Sequence, residues 1–245
     1  MSGESSLRSK VAIVTGGSRG IGLSIAEALL ADGAAVVISG MSEDHLQQAR
    51  RTLAGAGRVE PRLEAVQADV RKEADVERLV ARTVERFGGV DILINNAASG
   101  KMAPLASMTT EEWNTVIDTN LTGVFFACRA AIPNMRTRGG GWIINISSLA
   151  GKNPFPRGGA YCASKSALNA FSEVLMQEVR HDGIRVSYVM PGSVATEFTP
   201  GGSGPGTEWK LAAEDVARVV VDLIAHPSRS LPSRVELRPS QPPRK

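Results

Sequence analysis

The stretch Lys10–Ile25 reads KVAIVTGGSRGIGLSI, and it decides the fold. Lys10–Thr15 is almost continuously apolar and rich in β-branched residues, as a strand covered on both faces requires. A helical pattern over Ile21–Asp32 follows. Between them lies Thr15-Gly16-Gly17-Ser18-Arg19-Gly20-Ile21-Gly22. Glycine there lets the backbone turn sharply and lets a pyrophosphate approach the helix N-terminus, whose free N–H groups and dipole favour anions. Strand, glycine turn and helix together form the context of a dinucleotide site; a tight structural turn is the alternative. Three residues separate Gly16 from Gly20, so the spacing is not the simple G-x-G-x-x-G. No Gly-Lys-Ser/Thr ending marks a triphosphate-binding loop.

Outward from this unit the same alternation fills the chain. Further strand-like runs are Ala35–Ser39, Leu63–Gln67, Ile92–Asn95, Trp142–Ser147, Arg185–Val189 and Ser233–Leu237. Helical patterns cover Ser42–Ala54, Ala74–Phe87, Thr110–Arg138, Ala160–His181 and Ala213–His226. Ser42 is placed to cap the second helix, and Asp32-Gly33, Gly55, Gly88-Gly89 and Asp182-Gly183 mark helix ends. Repeated strand–helix–strand order implies right-handed crossovers, hence a parallel sheet with helices on both faces. No linker or composition shift divides the 245 residues, so one doubly wound α/β domain is expected, with flexible tails at 1–9 and 239–245. Asn153–Gly159 and Thr199–Thr207 break the rhythm, and the second is read as a mobile segment closing over a ligand.

Composition removes several classes. With 28 basic and 25 acidic residues the net charge is only +3, and no basic cluster suits nucleic acid. The longest apolar runs fall far short of the roughly 20 residues of a membrane span. Met1–Lys10 carries Glu4 and no apolar block, unlike a secretory signal. Cys128 and Cys162 form no metal-ligand or disulfide pattern and read as reduced structural thiols. A soluble, cytoplasmic protein without a metal site is the expectation.

A second constellation carries chemistry. Tyr161-Cys162-Ala163-Ser164-Lys165 opens a helix, so Tyr161 and Lys165 share a face. An ammonium beside a phenol favours the phenolate and makes tyrosine a usable acid or base. Alone, such a pair is more often a solvated helix surface. Ser148 ends a strand on the ligand side of the sheet, where its hydroxyl can donate to a carbonyl oxygen; plain capping is the alternative. Asn120, a poor helix former in VIDTNLTGVFF, is either a core polar residue with a local partner or a holder of water near a site.

Taken in order, TGGSRGIG, Asn95-Asn96-Ala97, Asn120, Ser148, YCASK and Pro191-Gly192 resemble the short-chain dehydrogenase/reductase family over essentially Lys10–Leu237. The resemblance implies a Rossmann-type seven-stranded parallel sheet and a nicotinamide dinucleotide. It implies Tyr161 as general acid/base, Lys165 lowering its pKa and holding the nicotinamide ribose, Ser148 orienting the carbonyl or alcohol, and Asn120 holding a relay water. It places Gly16, Ser18, Arg19, Ile21 and Gly22 at the phosphates and ribose. Asp69 and Val70 fall at the adenine, Asn96 and Ala97 at the adjoining ribose region, and Val194 and Thr196, after the Pro191-Gly192 turn, at the carboxamide. Ala98 stands where the family usually has glycine, and Arg238-Pro239 replaces the glycine-rich ending of acyl-carrier-protein reductases.

Cofactor choice turns on the residues after the second strand, Gly40-Met41-Ser42. No acid there repels a 2′-phosphate, and Arg19 and Ser42 can meet one, so NADP(H) is preferred over NAD(H). Met41, at the ribose site, stands where many NADP users carry arginine. A small-molecule carbonyl or alcohol substrate is expected, in a pocket flanked by Ala98, Ser99, Lys101, Phe155, Arg157, Met190 and Phe198. Small residues Ala160, Ala163, Ala167 and Ala170, with the family's habit of pairing these helices, point to a homo-oligomer, a tetramer or a dimer. Two other readings use the same residues: a non-catalytic dinucleotide sensor, and an epimerase or dehydratase using the same tyrosine. The intact Ser148, Tyr161 and Lys165 set argues against the first, and the short stretch Gly192–Lys210 against the second.

Overall fold

The computed structural model describes residues 7–55, 60–198 and 202–243. Seven strands, Val11–Thr15 (β1), Ala35–Gly40 (β2), Leu63–Gln67 (β3), Ile92–Asn95 (β4), Gly141–Ile146 (β5), Ile184–Pro191 (β6) and Arg234–Leu237 (β7), form one sheet in the order β3-β2-β1-β4-β5-β6-β7. Every pairing is parallel, with Ile13 beside Val37 on one flank and Leu93 on the other. The helices are Gly20–Ala31 (α1), Glu43–Gly55 (α2), Glu73–Phe87 (α3), Thr110–Ile117 (α4), Gly123–Thr137 (α5), Gly159–Val179 (α6) and Ala213–Ala225 (α7).

Two apolar layers sandwich the sheet because its central strands are buried on both faces. On one side Ile25, Leu29, Leu46, Leu53, Val216 and Val220 from α1, α2 and α7 pack on Ala12, Val14, Val36 and Ile38. On the other, Val76, Leu79, Ala127, Leu168 and Leu175 from α3, α5 and α6 pack on Ile13, Val37, Leu93 and Ile143. Strand order reverses between β1 and β4, and the carboxyl ends of those strands open the crevice where such sheets take ligands. Among the described residues no helix is long and apolar enough to cross a membrane.

Local chemistry sets the ends. Ser42 Oγ accepts from His45 N at 3.3 Å, and Thr109 and Glu112 cap α4 reciprocally. Gly88 and Gly183 close their helical segments in the left-handed region that glycine tolerates.

The structure also departs from the sequence reading. The single helix expected over Thr110–Arg138 is interrupted by a π-helical turn at Asp118–Thr122. The wider turn carries Asn120 into the interior, where its amide is bonded at both ends. Leu7, expected in a flexible tail, is buried, and its N–H donates to Asp32 O. Gly202–Thr207, expected to be mobile, forms hydrogen-bonded turns, with Lys210 Nζ donating to Gly202 O at 2.8 Å. The rest of that segment, Thr199–Gly201, and the tail positions Met1–Ser6 and Arg244–Lys245 lie outside the described residues.

Candidate active site

Gly16 and Gly20 adopt φ of +63° and +54°, so the chain turns from β1 into α1 without a Cβ penalty. Gly22 is required for a different reason. A Cβ there would lie 2.3 Å from Gly16 O and 2.4 Å from Asn96 Nδ2. Arg19 precedes α1 in an extended conformation, no side chain caps the helix, and its first turn has no acid. Those N–H groups and the positive helix end remain available. The cradle fits a dinucleotide diphosphate.

Its floor is built by Asn96 and Thr15. Asn96 Nδ2 donates to Thr15 O and Gly16 O at 3.0 and 3.1 Å, so its amide buttresses the turn. Thr15 Oγ1 accepts from the N–H groups of Asn96 and Ala97, which ties the ends of β1 and β4 together. Thr15 was legible only as the first letter of the motif.

At the carboxyl end of β2, where the sequence placed the adenosine ribose, Ser18 Oγ lies 3.2 Å from the position a Cβ of Gly40 would take. Met41 is exposed, and its carbonyl accepts from Gln67 Nε2. The acids Glu43 and Asp44 belong to the first turn of α2. Asp69 already has a partner. Arg71 grips its carboxylate through Nε at 2.9 Å and Nη2 at 2.7 Å and holds it below the usual carboxylate range. Val70 packs against Gly123 at the start of α5.

After β6, Gly192 N donates to Leu237 O, and Val194 bridges to Leu211. These contacts carry Ser193–Phe198 across the glycine turn, with Thr196 Cγ2 3.4 Å from a Cβ position on Gly20. Arg19 Nη1 stands 3.9 Å from Glu197 Oε2. Pro191 closes β6 and brings Leu237 and Pro239 beside this segment.

The catalytic candidates converge where β5 ends against α6. Ser148 is extended, and its Oγ accepts from Ala150 N at 3.1 Å, which leaves its own proton to donate outward. Burial raises the pKa of the Tyr161 phenol, and the Ser148 hydroxyl works against that rise. Lys165 lies one turn along α6, fully enclosed, and donates to Ile146 O at 2.8 Å. Burial lowers it to about 8. Its Nζ is 5.8 Å from the centre of the Tyr161 ring.

Asn120 is fully buried and ties this helix to the loop after β4. Its Oδ1 accepts from Ser99 N at 2.8 Å, and its Nδ2 donates to Ser99 O and Ser164 Oγ, both at 3.0 Å. Ser164 in turn donates to Tyr161 O at 2.8 Å. The side chain of Asn120, the residue that the resemblance places at a relay water, is thus engaged by Ser99 and Ser164. Ser99 and Ser164 were missed as partners; Ser164 stood inside the quoted YCASK motif.

The pocket candidates divide. Phe198 tilts against the Tyr161 ring with centroids 5.9 Å apart. Lys101 is paired to Glu112 at 2.8 Å. Met190 faces the interior, 1% exposed, with Asn169 Nδ2 on its sulfur, so it is a core residue and not a pocket wall. Cys128 and Cys162 are buried free thiols, and burial pushes Cys128 up to about 12.

The family model for short chain dehydrogenase matches residues 10–202. The chain belongs to the short-chain dehydrogenase family. An oxidoreductase of Staphylococcus saprophyticus is 34% identical over 237 residues, 95% of this chain and 98% of its own. One from Staphylococcus epidermidis is 32% identical over 233 residues, with the same coverage of both chains. A metagenomic short-chain oxidoreductase crystallised in complex with NADP superposes with a TM-score of 0.84 at 35% identity, covering 96% of this chain and 99% of that one. A dehydrogenase/reductase from Sinorhizobium meliloti 1021 gives 0.86 at 32% identity and 96% of each chain. Membership makes this chain an oxidoreductase with a Rossmann-type fold and a small-molecule substrate.

Proposed function

We propose that this short-chain dehydrogenase interconverts a carbonyl compound and its secondary alcohol with NADP(H) preferred over NAD(H). The observation that carries the reading is the Ser148–Tyr161–Lys165 cluster at the open end of β5. Ser148, oriented by Ala150 N, donates to the carbonyl oxygen and polarises the C=O bond. NADPH, when bound, supplies the hydride to the carbonyl carbon. The Tyr161 phenol gives its proton to the oxygen as negative charge develops there, and takes it back when the alcohol is oxidised. The nearby Lys165 ammonium stabilises the phenolate that remains. Asn120 holds α6 in register through Ser164.

Cofactor preference is supported by the absence of an acid at Gly40 and Met41, by Arg19 in the glycine turn, and by NADP in the relative of known structure. The same reading makes the protein a single-domain cytoplasmic homo-oligomer. Ala163 and Ala170 are exposed on α6 and Val174 is 55% exposed, while Phe125 on α5 is 41% exposed. Ala160 is buried against its own chain and takes no part in that face. Tyr161→Phe tests the reaction. Turnover, followed as NADPH absorbance at 340 nm, should fall at least about a hundredfold, the scale for losing a general acid. Cofactor affinity should hold, and near-normal turnover would overturn the mechanism.

A further inference from the structure

The distance between Ser148 and Tyr161 is set by neither of their elements alone. Ser148 follows β5, Tyr161 lies in the first turn of α6, and Lys152–Gly158 between them contains no helix or strand. Something must hold the strand end and the helix at one separation. Tyr161, Lys165 and Asn169 stand four residues apart in turn, along one side of α6. The proposed mechanism uses the first two and leaves Asn169 without a part.

Asn169 Oδ1 accepts from the hydroxyl of Ser147, the residue directly before Ser148, at 2.5 Å. Ser147 is buried, and its N–H donates to Val189 O at 2.8 Å, so its place at the end of the sheet is fixed. Lys165 O lies 3.4 Å from the same hydroxyl, whose one proton serves the shorter contact. Asn169 Nδ2 reaches Met190 Sδ at 3.6 Å, which orients the amide. The turn that follows Ser148 is stitched to the same helix. Ser166 Oγ donates to Gly151 O at 2.9 Å. A Cβ on Gly151 would lie 2.8 Å from Lys165 O and from Asn169 Nδ2, so the close approach depends on glycine. With Lys165 Nζ on Ile146 O, the chain on both sides of Ser148 is tied to α6.

Stability alone does not call for a polar pair at this place. Two apolar groups of the same shape would serve nearly as well. A short, directional bond adds a fixed distance. The geometry points to Asn169 and Ser147 as positioning residues that set the reach of the Ser148 hydroxyl toward Tyr161. The inference rests on the proposed reaction for what Ser148 and Tyr161 do, and on these contacts for how they are held.

The chain has two tyrosines, so in a Tyr188→Phe background the ultraviolet absorbance of phenolate reads Tyr161 alone. Rapid pH jumps read it before alkaline unfolding sets in. The Ser148 hydroxyl works against the burial that raises the phenol, so a strand end free to slide away should leave Tyr161 harder to ionise. Asn169→Leu, and the paired Ser147→Ala/Asn169→Leu protein, should each raise the midpoint by about half to one pH unit. Each should lower kcat for cyclohexanone by about tenfold to a hundredfold, with the NADPH dissociation constant unchanged. The paired replacement should recover the melting temperature that Asn169→Leu loses, without recovering the titration. In a Ser148→Ala background Asn169→Leu should no longer move the midpoint. A wild-type midpoint in the paired variant overturns the inference, and so does an equal shift when Ser148 is already gone. A shifted midpoint in a protein that reduces no ketone or aldehyde upholds the brace and overturns only the proposed reaction.

Discussion

Lys165 Nζ donates to the carbonyl of Ile146 at 2.8 Å, so the ammonium of α6 is anchored to the strand that presents Ser148. That bond sets the lysine's direction and removes it from water. One charged group is thus held in the least favourable medium for charge, and the protein bears a stability cost to keep it there.

The cost has a definite pH signature. Burial lowers Lys165 from 10.5 to about 8, so below that value it is protonated in both folded and unfolded chains and the penalty is constant. Between about 8 and 10.5 the unfolded chain binds more protons, and stability rises with pH. Urea unfolding of cofactor-free protein should show the wild type gaining about 3 kcal/mol relative to Lys165→Met across that window. A pH-independent difference would mean that the lysine is not buried as a charged group.

Asn120 and Ser164 act as one unit, and a double-mutant cycle should measure it. Asn120→Ala removes three hydrogen bonds from a fully buried position, including the partner of Ser99 N, and should cost about 2–4 kcal/mol. Ser164→Ala should cost about 1 kcal/mol. The double mutant should be less unstable than the sum by about 0.5–1.5 kcal/mol. Strict additivity in chemical denaturation would remove the Asn120–Ser164 bond as a brace for α6.

Two glycines of the turn should fail differently. Gly20→Ala meets only an ordinary van der Waals contact with Thr196 but a left-handed backbone, and should lose about 1–2 kcal/mol while still binding NADPH. Gly22→Ala drives a methyl into Gly16 O and the Asn96 amide, both part of the cradle floor, so dinucleotide affinity should fall more steeply than stability. Thermal melts paired with NADPH fluorescence titration separate the two. Equal loss of affinity in both variants would contradict the assigned roles.

The fold was legible because each central strand is an unbroken apolar run, and each helix has a chemical start or stop at its end. Chemical roles were less so. Asn96, Asn120 and Asp69 are polar residues whose partners, Gly16 O, Ser99 with Ser164, and Arg71, follow from tertiary approach. Only the Asp69–Arg71 pair is close in sequence, and nothing in the spacing says that the carboxylate faces the arginine. The π-helical turn at Asp118–Thr122 was hidden because an added residue in a helix leaves the apolar pattern nearly intact. Met190 misled because it stands just before the Pro191-Gly192 turn but on the inward side of β6.

The proposed NADP(H) preference brings in a second residue. In that proposal Arg19 is the cation that meets the 2′-phosphate, and Glu197 Oε2 stands 3.9 Å from its Nη1. Both side chains are well exposed, at 62% and 77%, so their mutual attraction is screened and contributes at most about 1 kcal/mol. Glu197 nevertheless occupies one side of the guanidinium and presents a like charge to an arriving phosphate. The Arg19–phosphate contact, being charge-assisted, is worth about 1.5–3 kcal/mol, so it outweighs the pair it displaces. Arg19→Ala should therefore lower NADPH efficiency by about one to two decades and NADH efficiency far less. Glu197→Gln should tighten NADPH binding about two- to fivefold, leave NADH unchanged, and lose that advantage as salt screens the charges. Calorimetry with 2′,5′-ADP against 5′-AMP reads the same contrast without turnover. Equal or better use of NADH by the unmodified enzyme would overturn the NADP assignment while leaving the Tyr161 chemistry intact.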